Sequence, residues 1–271
     1  MNKALKVIFS ILTSTLFLFQ GKILAKDNSE IIFYDSSGNK ISKEELKTAT
    51  GKFNFEIYGM EGVSTLAKSL HNEARQYGQN GNYKKSIELL LKAHSEAKNW
   101  PYPLYDLAYT YLLQDDFDNA LKYYKLTDKL APKGFYTSKT ALFTLENEKR
   151  GIFKKGLYKT YLSLEWADNQ SEKFKLTKYL TEKFPNFAPG WKEYANFFEG
   201  KERESIIEKS LKIEADNETK GVLLINKALI LSNKGEIKKA KEILGKIIFD
   251  AKSTYGNIEI AKFALKSITE K

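Results

Sequence analysis

The chain reads as an all-α protein: an α-solenoid of antiparallel helix pairs behind a small N-terminal β-containing cap. Three observations carry that expectation. From about Leu66 to the end, apolar residues recur at helical spacing with few β-type runs. The apolar pattern returns after 34 residues. All five prolines (Pro101, Pro103, Pro132, Pro185 and Pro189) fall in expected turns between helix pairs. Inside a helix each would cost about 3 kcal/mol.

Composition narrows the chemistry. With 271 residues and 42% apolar content the chain can bury a core without cross-links. The absence of cysteine removes thiol nucleophiles, iron–sulfur clusters, cysteine-ligated zinc and the lipid-modified cysteine of a bacterial lipoprotein. The net charge of +10 comes from 44 basic against 34 acidic side chains, but only Arg75, Arg150 and Arg203 are arginines. Arginine reads phosphate and guanine edges bidentately, whereas lysine on a helix is usually a solvated point charge, so no nucleic-acid partner is expected.

Residues 1–25 have the order of a secretory signal peptide. Lys3 and Lys6 precede the uncharged run Val7 to Phe19, and a small residue follows at Ala25. The run is shorter than the ~20 residues a helix needs to cross a bilayer, so no transmembrane segment is expected after cleavage. Removal of Lys3, Lys6 and Lys22 with no acid lowers 44 basic side chains to 41 against 34 acidic ones, leaving +7. The expected location is the bacterial periplasm or exterior.

Residues 26–60 read as the cap. Ile31 to Tyr34 is β-branched and aromatic, and Asp35 to Asn39 is turn chemistry leading into Lys40-Ile41, which predicts a hairpin. Ser42 with Glu45 fits a capping box that starts a short helix, and Phe53 to Tyr58 alternates as a further strand would.

Residues 61–271 read as the repeat domain. Leu70, Ala74, Tyr77, Gly81, Tyr83, Leu90 and Ala93 are followed 34 positions later by Leu104, Ala108, Tyr111, Asp115, Phe117, Tyr124 and Thr127. Leu224, Ala228, Leu231, Gly235, Ile237, Ala240 and Leu244 reproduce the pattern without a gap. Looser units surround Leu157, Tyr161 and Leu164, where Tyr161 occupies a small-residue position, and Trp191, Tyr194 and Ala195, where the turn is about four residues short. The units fall near 67–100, 101–134, 154–186, 188–217 and 221–254, with a capping helix at 256–270 and an extra helix at Ser138 to Arg150 outside the frame. Two short helices cannot bury their facing stripes alone, so each pair must stack on the next.

A small residue, an aromatic three positions later, a turn, a second aromatic and a closing proline resemble the tetratricopeptide repeat. The resemblance implies that first helices line a concave groove that contacts a ligand. Carried over residue by residue, it proposes Asn72 and Arg75 in the first unit and Tyr102, Tyr105 and Tyr109 in the second. Tyr158, Lys192 and Asn226 follow in later units. Such a strip suits a peptide held by stacking and hydrogen bonds. Tyrosine is equally a packing body with a polar tip, and the sequence leaves both roles open. The terminal-carboxylate clamp known in this family is not supported, because Asp106 stands where the clamp wants asparagine.

Catalysis finds little basis. His71 and His94 are the only histidines, and no HExxH, GxSxG, GxxxxGK or GxGxxG occurs. The expectation is a non-enzymatic, cofactor-free and metal-free scaffold of the cell envelope that binds a protein or peptide. A lysine-rich module for anionic lipid or polymer, and an unrecognised hydrolase, are the alternatives.

Overall fold

The computed structural model describes residues 32–34, 40–41, 54–56, 62–167 and 169–269. The signal-peptide reading of 1–25 and the capping box at Ser42 lie outside the described residues. In the N-terminal stretch three short strands are described: β1 (Ile32–Tyr34), β2 (Lys40–Ile41) and β3 (Asn54–Glu56). They form an antiparallel sheet in the order β2-β1-β3, with Phe33 opposite both Ile41 and Phe55.

Among the described residues the remaining regular structure is helical, twelve α-helices and one 3-10 turn, with successive helices packed as antiparallel pairs. The chain divides into two compact units, residues 1–130 and 131–271.

Unit 1 contains α1 (Thr65–Gln79), α2 (Tyr83–Glu96), α3 (Tyr102–Leu113) and α4 (Phe117–Leu130). The α1/α2 and α3/α4 pairs pack on each other through α2 and α3. Ser64 and Asn82 start their helices by accepting from the Ala67 and Lys85 amides at 3.1 and 3.2 Å. The small residues of the pattern, Ala74 and Ala108, are fully buried and let backbones approach, while Leu104, Leu107 and Tyr124 fill the space between.

Unit 2 contains α5 (Ser138–Lys149), α6 (Leu157–Trp166), α7 (Gln170–Lys183), α8 (Ala188–Tyr194) with the 3-10 turn Ala195–Phe197, α9 (Gly200–Ser210), α10 (Asn217–Asn233), α11 (Ile237–Phe249) and α12 (Tyr255–Thr269). Consecutive helices from α6 onward pack pairwise, and α5 packs on α6 and α10. One apolar cluster joins α10, α11 and α12 through Ile225, Ala228, Leu244, Ala261 and Ala264. A second joins α8, α9 and α10 through Trp191, Ile206, Ile207 and Leu223.

The repeat turn is built alike in three pairs. Gly81, Asp115 and Gly235 hold φ of +78°, +61° and +82°. Behind each, the next residue's amide donates to a carbonyl five residues earlier: Asn82 to Tyr77 at 2.9 Å, Asp116 to Tyr111 at 3.0 Å and Glu236 to Leu231 at 2.9 Å. Glycine adopts this left-handed conformation without strain, and aspartate is among the side chains that tolerate it.

Proline placement needs one correction. Pro103 and Pro189 lie within the first turns of α3 and α8 rather than between helices. The first-turn N–H has no intrahelical acceptor, so a residue without one starts a helix as readily as it ends one.

Candidate partner-binding site

Of the eight residues proposed from the sequence, five fall in unit 1 and three in unit 2. In unit 1, Asn72 is exposed on α1. Arg75 is half-buried with Nε 3.9 Å from Asp106 Oδ2, an oxygen that also lies 2.8 Å from His71 Nε2. Burial alone would raise the Asp106 carboxyl, but the His71 hydrogen bond and the His71 and Arg75 charges outweigh it and hold it below the usual range. Tyr102, Tyr105 and Tyr109 are only 6%, 4% and 8% exposed. The Tyr102 ring meets His71 edge-on at 5.8 Å, and Tyr105 meets Tyr124 edge-on at 5.7 Å. Of the two roles open to these tyrosines, burial supports packing: α3 is enclosed on nearly every face.

In unit 2, Tyr158 is fully buried on α6, its hydroxyl 3.1 Å from Thr137 Oγ1. Asn226 on α10 is committed internally, accepting from Arg203 at 2.6 Å and donating to the Val222 carbonyl at 3.0 Å. Lys192 joins a larger polar cluster.

That cluster is built by three helices. The α6 helix supplies Tyr161 and Glu165, one turn apart and so on one face. The α8 helix supplies Lys192 and Glu193, and the first turn of α10 supplies Glu218. Lys192 Nζ lies 2.9 Å from Glu193 Oε1, and the Tyr161 hydroxyl donates to the same oxygen at 3.0 Å. Lys192 also stands 5.8 Å from the centre of the Tyr161 ring. Lys192 and Glu193 keep 11% and 20% of their side-chain exposure, so the cluster reaches solvent through these two side chains.

The ends of α8 and α10 set this geometry. Pro189 starts α8, and the Trp191 indole donates to the Pro185 carbonyl at 2.9 Å, which fixes the helix against its turn. Asp216 caps α10: Oδ1 accepts from the Glu218 and Thr219 amides, each at 3.0 Å, and from the Thr140 hydroxyl at 3.2 Å. Asn257 of α12 holds the same turn, donating to the Asn217 and Glu218 carbonyls at 3.2 and 3.0 Å. It can do so because Gly221 carries no side chain: a Cβ there would meet Asn257 Nδ2 at 2.0 Å.

The electrostatics are unbalanced. Burial, then the Glu193 charge, pushes the Glu165 carboxyl up to about 8. Burial, then the Asp216 charge, does the same to Glu218, also to about 8. Burial works against the Lys192 ammonium, but Glu193, Tyr161 and Glu218 outweigh it and hold it well above its ordinary value. Glu165 Oε2, Glu218 Oε2 and Asp216 Oδ2 are buried without a hydrogen-bond partner. Leaving such atoms unsatisfied costs about 1–3 kcal/mol each.

A wider recess of about 470 Å³ in unit 2 is lined by Phe143, Ile152, Phe153, Pro185 and Ile213 among others. None of its lining residues carries a buried unpartnered polar atom among the described residues, so shape alone recommends it. The polar cluster is the stronger candidate because unmet hydrogen-bonding capacity points to a ligand. The repeat pattern points to Lys192 and marks Tyr161 as a misfit at a small-residue position, but carries no sign of Glu165, Glu193 or Glu218. The available signal was Tyr161 itself, a large hydroxylated residue where the repeat wants a small one. Among the described residues no group of three or more acidic or histidine side chains is placed to hold a metal ion, and no helix is long and apolar enough to cross a membrane.

Comparison with known proteins locates the repeat. Residues 102–133, which span α3 and α4, match the family model described as tetratricopeptide repeat. No curated protein matches the chain. Similar solved structures include a thermophilic TPR protein from Thermus thermophilus, 17% identical over 74% of this chain and 99% of that one, at a TM-score of 0.31. Repeats of the matched family typically build protein–protein interaction modules and are generally non-catalytic. The helix pair at 102–133 is thus similar to a tetratricopeptide repeat, and it stands among further antiparallel helix pairs of this chain.

Proposed function

We propose that the protein is a non-enzymatic interaction module of the bacterial cell envelope, exported by residues 1–25, that binds a peptide segment of another protein on unit 2. The observation that carries this reading is the convergence of Tyr161, Glu165, Lys192, Glu193 and Glu218 from three helices, with two carboxylate oxygens left without partners. A bound segment supplies the missing donors, and its backbone and side chains use the solvent-reaching Lys192 and Glu193 for orientation.

The lysine-rich alternative is disfavoured by local pairing. Lys85 and Lys92 flank Glu88 at 3.1 and 2.8 Å, Lys239 meets Glu236 at 2.6 Å, and Lys262 meets Glu259 at 2.8 Å. Such pairs weaken the positive field that an anionic surface would read.

Site-specific photocrosslinking in the native cell tests the proposal. A photoreactive residue at Asn196, exposed beside the cluster, should give a discrete adduct, whereas one at Lys239 on α11 should not. Equal adducts at both, or none at Asn196, would remove the assignment. Fractionation of full-length and 26–271 forms tests export: only the full-length form should reach the envelope.

A further inference from the structure

We infer that the cluster on α6, α8 and α10 is a receptor for a single basic side chain, best an arginine, projecting from the bound segment. The inference deepens the peptide-module reading and rests on it. Its ground is the mismatch between acceptors and donors at one place. Lys192 and the Tyr161 hydroxyl are both spent on Glu193. Glu165 and Glu218, one on each flanking helix, each keep a buried oxygen with no partner.

An independent observation comes from behind the cluster. Asp216 is only 8% exposed, and the cap of α10 uses its Oδ1 alone. Oδ2 is buried and unpartnered. Its charge reaches Glu218 strongly enough to be the second cause, after burial, of that group's raised pKa. The fold therefore places more buried carboxyl oxygens here than it supplies with hydrogen-bond donors.

The chemistry of the acceptors selects the ligand. These carboxylates are not gathered closely enough to cage a metal ion. A guanidinium is wider, planar and carries five donors in a fixed fork, so it can bridge carboxylates on two helices and sheds its hydration more easily than an ammonium. An aliphatic stem would pass the Tyr161 ring while the head sits among the acids.

Charge neutralisation makes binding pH-dependent. Glu165 faces Glu193, Lys192, Lys173 and Glu218; Glu218 faces Asp216, Lys192, Glu193 and Lys139. An incoming cation binds the deprotonated forms, so binding releases protons and strengthens as pH rises toward and through about 8.

The test uses the intact chain with 13C-labelled glutamate carboxyls, assigned with Glu165→Gln and Glu218→Gln. Titration with n-butylguanidinium should shift both resonances saturably, lower both midpoints by about one unit, and bind more tightly at pH 8.5 than at pH 6.5. The double glutamine variant, with helical circular dichroism retained, should bind at least tenfold more weakly. A nine-residue Gly/Ser peptide with one central arginine should reproduce the shifts, and its glutamate counterpart should not. Absence of saturable shifts in the wild-type chain overturns the inference whatever the variant does. So does equal binding by the variant, or preference for acetate over n-butylguanidinium. Spermidine binding more tightly than the arginine peptide overturns the assignment to a protein side chain. If guanidinium binds but the Asn196 adduct is missing, the peptide reading fails while the cation site stands. An adduct with no guanidinium binding defeats this inference alone.

Discussion

In unit 1 the half-buried carboxylate Asp106 is answered on the spot: His71 and Arg75 hold it in its charged form. In unit 2 Glu165 and Glu218 are answered by too little, and burial keeps them close to neutral below about pH 8. Unit 1 leaves His94 Nδ1 and Trp100 Nε1 buried without a partner, whereas in unit 2 the atoms left over include carboxylate oxygens of Glu165, Asp216 and Glu218. Regular packing builds a stable scaffold, and in unit 2 the chain holds unpartnered carboxyl groups at a cost to its own stability.

The largest expected effect removes the cation that keeps unit 2 tolerable. Lys192→Met leaves Glu193, Glu165 and Glu218 facing one another and should destabilise unit 2 by about 3 kcal/mol. Hydrogen exchange resolved by peptide should show lost protection in α6 to α10 while α1 to α4 hold theirs. Uniform loss in both units would erase the contrast drawn between them.

Next in size is pH dependence, which runs in opposite directions. Glu165 and Glu218 have folded values near 8, above the ordinary 4.5. Their contribution to stability is therefore complete below about pH 4.5 and lost as pH rises through about 8. Asp106 is depressed below 3.8, so its contribution is present above that value and lost as pH falls through the folded one. Exchange protection in unit 2 should fall between pH 5 and 8.5, and that of unit 1 should fall on the acid side. Glu165→Gln with Glu218→Gln should flatten the first slope and raise unit 2 stability at pH 8.5 by about 2 kcal/mol.

A structural test of the same region is Gly221→Ala. The added methyl displaces Asn257 from the Asn217 and Glu218 carbonyls, and should cost about 1–2 kcal/mol in urea unfolding. Retained stability would mean that Asn257 does not hold the first turn of α10. The smallest effect belongs to the repeat turn of unit 1. Asp115→Gly relieves the left-handed backbone at φ +61° and should stabilise by up to about 1 kcal/mol. The reverse strain, Gly81→Ala at φ +78°, should destabilise by about the same amount.

Much of the helical scaffold was legible because a 34-residue period is a local signal. Ala74 and Ala108 must be small and Gly81 must tolerate positive φ for reasons contained in one helix pair. The expected helix at Ser138 to Arg150 is α5, Ser138–Lys149, and the expected cap at 256–270 corresponds to α12, Tyr255–Thr269. Side-chain roles were less legible. Tyr105 and Tyr109 share a helical face whether that face meets solvent or a neighbour, and only their 4% and 8% exposure separates the cases.

By itself, then, the sequence determined the helices, their pairing, the turns that join them and the exclusion of thiol and cysteine–metal chemistry. Each follows from residue type and short-range spacing. The tertiary structure decided which faces are covered and which charges meet. Tyr161, Glu165, Lys192, Glu193 and Glu218 are spread over α6, α8 and α10, and along the chain each glutamate looks like an ordinary solvated helix charge. Packing brings them together, and desolvation, which depends on every surrounding atom at once, turns ordinary helix charges into carboxyl groups with raised pKa and unpartnered oxygens.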